Sequence, residues 1–131
     1  MKVAVDTNVL VRAAVRDDPN QAQVAMRIMA RAELVAIAVS CLCEFAWVLR
    51  RVYGFRAPSI AVAIRLLLAA ENVETNRQVA EAGLAMLDAG GDFADGVIAY
   101  EGKWLGAETF VSFDKKAVEM LAAQGVSARL L

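Results

Sequence analysis

The chain has 131 residues, 59% of them apolar, with 14 basic side chains, 15 acidic ones and no histidine. That length suits one domain, residues 1–131, able to close a single core, and the apolar excess leaves surface for a partner or a second copy to cover. The absence of histidine excludes Ser-His-Asp, Cys-His and imidazole acid–base mechanisms, so acids, a metal or no catalysis remain.

The N-terminal MKVAVDTNV meets an aspartate after a few apolar residues, unlike a secretory signal. Residues 2–5 read as a short apolar strand that stops at Asp6. Pro19, with Asp18 as its cap, begins a helix to about residue 32. A second strand over 34–39 is rich in β-branched residues, and a helix over 40–53 ends at Gly54. The apolar region LVAIAVSCLCEFAWVL, residues 34–49, is too short for a membrane span and carries Glu44. A soluble cytoplasmic protein is therefore expected. Cys41 and Cys43 within it lack a zinc-type spacing or a disulfide framework and are expected to be buried free thiols.

Pro58 opens PSIAVAIRLLLAA, a helix whose only charge is Arg65 and whose nearly uniform apolarity marks an interface. A weak strand follows at 72–75, then helices over 76–89 and 92–105, a strand over 109–113, a helix over 114–124 ahead of Gly125, and a strand over 126–130. Strands alternating with helices predict an α/β fold: a parallel sheet of four to five strands, covered on both faces. Ligands of such folds gather at the carboxyl ends of the strands.

Acids stand at those ends. Asp6 follows the first strand and Asp114 the fourth; Glu44 and Asp95 lie in the early turns of helices. Singly, Asp6 and Asp114 read equally well as N-caps and Glu44 as a surface acid favoured by the helix dipole. Together they suggest a site, because Glu44 interrupts a run that otherwise reads as buried, and a buried carboxylate calls for a partner such as a cation. In GGDFADGVIAY, Asp92 is placed to cap and Asp95 falls three residues on, on the same helix face. Capping is therefore assigned to Asp92 and chemistry to Asp95. An oxygen-only acid set suits Mg²⁺ or Mn²⁺, and metal-dependent phosphodiester hydrolysis is the reaction it fits best.

A net charge of −1 does not oppose a nucleic-acid substrate: setting aside Asp6, Glu44, Asp92, Asp95 and Asp114 leaves 14 basic residues against 10 acidic ones. Arg12, Arg16, Arg50, Arg51, Lys103, Lys115 and Lys116 are candidate phosphate contacts or ordinary solvated charges.

With VDTNVLVR at residues 5–12 followed by DDPNQA, CEFAWVL around Glu44, DFADGVIA, and GAETFVSFDKKA, the chain resembles the PIN-domain ribonucleases, and among them the VapC-type toxins of toxin–antitoxin pairs. The resemblance implies a three-layer α/β/α sandwich and a Mg²⁺- or Mn²⁺-dependent endoribonuclease. Its four acids would be Asp6, Glu44, Asp95 and Asp114, with Asn8 and Ser112 in support. It further implies cleavage of tRNA or rRNA to a 5′-phosphate and a 3′-hydroxyl, a homodimer, and silencing by a VapB-like antitoxin lying over helices near the site. Gly96, where alanine is usual, is expected to loosen its helix turn. Two other readings stand beside this one: a haloacid-dehalogenase-like phosphatase, disfavoured because Asn8 stands where a second Asp is wanted, and a non-catalytic PIN-like module that binds RNA or a partner.

Overall fold

In the computed structural model, which describes residues 1–131, the short β-branched runs become strands and the longer periodic runs become helices. The chain divides into two units, Met1–Asn76 and Arg77–Leu131. The first contains β1 (Lys2–Ala4), α1 (Thr7–Val15), α2 (Pro19–Arg31), β2 (Leu34–Ala36), α3 (Val39–Arg51), α4 (Ala57–Ala69) and β3 (Val73–Glu74). Its strands pair in parallel in the order β1-β2-β3, with Lys2 opposite Leu34 and Val35 opposite Val73. The second contains α5 (Arg77–Asp88), α6 (Phe93–Trp104), β4 (Phe110–Ser112), α7 (Lys115–Ala123) and β5 (Ala128–Leu130), with β4 and β5 parallel and Phe110 opposite Ala128. All five expected strands are present, each shorter than its apolar run, and the α/β class with parallel pairing holds. None of the helices is long and apolar enough to cross a membrane.

The pattern of apolar residues alone does not mark α1. TNVLVRAAV continues the β-branched character of β1, and only Leu10 and Val11 in it are fully buried. The helix forms because Asp6 caps it, the Asp6 carboxylate accepting the Val9 N–H at 3.3 Å. It ends at Arg16, which takes the left-handed conformation at φ 62°. The following turn is tied down by Asp17, whose two oxygens accept from Arg12 at 3.0 Å and from the Tyr53 hydroxyl at 2.9 Å. Asn72, just ahead of β3, closes the far end of α2: its side-chain amide donates to the carbonyls of Met29 and Ala32 at 2.8 and 2.9 Å.

On α4, Ala57, Ile60, Ala61 and Ile64 are buried, while Val62 and Leu66 stay 58% and 69% exposed. This helix thus keeps a bare apolar stripe after its own core is filled. In the second unit, α5 and α6 pack almost backbone to backbone. A Cβ at Gly83 would run into the buried Phe93 ring, and one at Gly96 into the Ala82 carbonyl. The expectation that Gly96 loosens its helix is therefore corrected: it is a buried contact point, and glycine permits the approach. Gly96→Ala must push the two helices apart and is expected to destabilise the fold by about 1–3 kcal/mol. Chemical or thermal denaturation of the variant beside the wild type measures this.

Candidate active site

The candidate acids fall into two groups, one in each unit. In the first unit, β1 delivers Asp6 to the start of α1, where it is exposed and caps the helix. Glu44 lies on α3, one turn beyond Cys41. It is exposed, which overturns the reading of Glu44 as a carboxylate inside a buried run. The helical period explains why. Cys41, Leu42, Phe45, Ala46 and Leu49 form the buried stripe of α3, and Glu44 falls at its edge.

Thr7, which the sequence reading did not single out, connects the two. Its hydroxyl donates to Glu44 Oε2 at 3.0 Å and lies 3.7 Å from Cys41 Sγ. The Cys41 thiol in turn donates to the Val5 carbonyl at 3.7 Å. Burial pushes the Cys41 thiol pKa up, with the Thr7 hydrogen bond opposing and the Glu44 and Asp6 charges reinforcing the rise. Both cysteines are free, as expected, but only Cys41 is fully buried. Asn8 is exposed beside Asp6 and lines, with Arg12, Asn20 and Gln21, a groove of about 350 Å³ over Val24 and Ile28.

In the second unit, Asp114 caps α7, accepting the Ala117 N–H at 3.1 Å, and is exposed. Ser112 supports it through the backbone: its hydroxyl accepts the Asp114 N–H at 2.9 Å. Asp95 is half-buried in the first turn of α6. Asp92 occupies the N-cap position with extended backbone, but its side chain makes no capping hydrogen bond, so the assignment of Asp92 to capping holds for the backbone alone. Two ties bind this turn to α7. Gly91 is buried against Met86 and Met120, and Lys116 Nζ donates to the Gly90 carbonyl at 3.2 Å.

That packing sets three carboxylates in one field. Burial raises the Asp95 pKa, and the charges of Asp92 and then Asp114 raise it further. Neither unit by itself gathers three carboxylates or thiols into a ready-made metal cage. The donor set is nonetheless hard and oxygen-only, and the negative charge that raises the Asp95 pKa is of the kind a divalent cation offsets.

Three of the basic candidates, Arg12, Lys115 and Lys116, are engaged locally. Arg12 is paired with Asp17 at 3.0 Å and Lys115 with Glu119 at 3.9 Å, both at the surface where such pairs contribute little. Lys116 holds the Gly90 carbonyl, as above.

The raised Asp95 pKa has a consequence for stability. The folded chain keeps this proton to a higher pH than the unfolded chain does, so folding takes up a proton above the ordinary carboxylate value of 3.8. Stability contributed by Asp95 therefore falls as pH rises through the raised pKa and stays lower above it. Free of metal, Asp95→Asn is expected to melt higher than the wild type at about pH 7, with the difference vanishing near about pH 3. Melting scans in EDTA across that range test this.

The PIN domain profile matches residues 3–121, running through both units and over all the candidate acids. No individual curated protein matches the chain significantly. The PIN fold is generally a nuclease fold. The chain belongs to the PIN domain family.

Proposed function

We propose that this PIN domain is a metal-dependent endoribonuclease acting as the toxin of a toxin–antitoxin pair. The observation that carries the catalytic reading is half-buried Asp95 in the first turn of α6, whose pKa is raised by burial and by the charges of Asp92 and Asp114. Such an arrangement opposes folding unless a cation or a proton relieves it, and strained titrations of this kind gather at functional sites.

Asp6 and Glu44 in the first unit, and Asp95 and Asp114 in the second, would be the carboxylate ligands of Mg²⁺ or Mn²⁺. When bound, such an ion lowers the pKa of a water and offsets charge on the scissile phosphate. Capping does not compete with that role. Asp6 and Asp114 each give one oxygen, Oδ1, to the helix, and a carboxylate has lone pairs left on the other. The cap bonds fix the orientation of the free oxygen. Ser112 holds the turn into Asp114, and Asn8, two residues after Asp6, lines the groove with Arg12. Arg12, Lys115 and Lys116 would meet the RNA backbone only by exchanging their present partners.

The apolar surface supports the partner half of the reading. A groove of about 480 Å³ in the first unit, lined by residues that include Ala13, Met29, Val62, Leu66 and Leu67, fits an amphipathic segment such as the tail of a VapB-like antitoxin. A homodimer, a cytoplasmic location and a tRNA or rRNA target complete the proposal.

The test is incubation of antitoxin-free protein with total RNA in Mg²⁺, Mn²⁺ or EDTA, with mapping of new 5′ ends. Discrete cuts are expected in either metal and none in EDTA, with Asp6→Asn and Asp95→Asn each slower by at least about 10²-fold. RNA left intact by folded, metal-binding protein would replace this reading with a non-catalytic binding module.

A further inference from the structure

Thr7 is neither a cap nor a core residue, yet its hydroxyl reaches a candidate metal ligand 37 positions away. We propose that Thr7 is a positioning residue of the site, holding Glu44 at a set distance and orientation from Asp6. This rests on the metal-dependent reading above.

An exposed glutamate on a helix explores several rotamers, so a useful ligand at that place needs something to hold it. Thr7 has one hydroxyl proton and two acceptors within reach, Glu44 Oε2 at 3.0 Å and Cys41 Sγ at 3.7 Å. The carboxylate is charged and closer, so it takes the proton. The thiol spends its own proton on the Val5 carbonyl at 3.7 Å. The residues on either side of Asp6, Val5 and Thr7, therefore both grip α3, through Cys41 and Glu44 one turn apart. Glu44 uses Oε2 in this bond, and its Oε1 is left to face a cation. Folding alone does not require the arrangement, because an exposed carboxylate is satisfied by water.

The experiment is a calorimetric Mn²⁺ titration of the full chain, comparing wild type, Thr7→Val and Thr7→Ser, each also in a Glu44→Gln background. Thr7→Val keeps the β-branched shape and removes the hydroxyl; Thr7→Ala serves should it fail to fold. Loss of the hydroxyl is expected to weaken Mn²⁺ binding about 10-fold, Thr7→Ser to stay within about twofold of wild type, and Thr7→Val to add nothing once Glu44 is Gln. An equal loss in both backgrounds, no loss in either, or no Mn²⁺ binding by the wild type would overturn the proposal. RNA cleavage is measured on the same samples. Intact RNA together with the expected Mn²⁺ pattern would remove the nuclease reading and leave the role of Thr7 standing.

Discussion

The first turn of a helix has N–H groups without internal acceptors, and at two strand exits of this chain aspartates supply them. Parallel pairing forces each strand into a crossover, and the crossovers after β1 and β4 begin almost at once, at Thr7 and Lys115. Asp6 and Asp114 are therefore needed as acceptors by the fold itself. Charge is placed at the ends of two strands by a local demand of secondary structure, and the remaining lone pairs are aimed by the same bonds. A capping aspartate at these positions still keeps acceptor capacity that the helix does not use.

The two acid groups are held by different means. Asp6 and Glu44 are exposed, and a hydroxyl and a thiol between them do the fixing. Asp92, Asp95 and Asp114 are brought near one another by backbone packing that half-buries Asp95 alone: Gly96 lets α6 close on α5, and Gly91 lets the intervening turn settle against α7 through Met120. Within the second group, burial and the neighbouring charges oppose ionisation of Asp95.

Much of this was legible in the letters of the chain. Strand runs such as LVAIAV and helix boundaries at Pro19, Pro58, Gly54 and Gly125 carry local chemistry, and the elements fall within a few residues of where that chemistry puts them. What failed was inference across the third dimension. Glu44 sits among apolar letters, but the 3.6-residue period turns it outward. Gly96 looked like a weakness because the contact it permits comes from Ala82 on another helix. Helix α1 was hidden because its apolar residues continue the strand before it, and only the Asp6 cap separates them. Thr7 could not be found from the pattern at all, since nothing in its local context signals a bond to α3.

The Asn72 side chain carries a consequence for the order of events as the chain emerges. Its amide supplies both the Met29 and the Ala32 carbonyls at the end of α2, across separations of 43 and 40 residues. The last turn of α2 and the entry to β2 therefore stay without these partners until Asn72 and β3 arrive. Closing so long a loop is entropically slow and rewards only the final contact. The first unit is thus a late-locking assembly, in which a ribosome must deliver the chain through β3 before α2 is sealed.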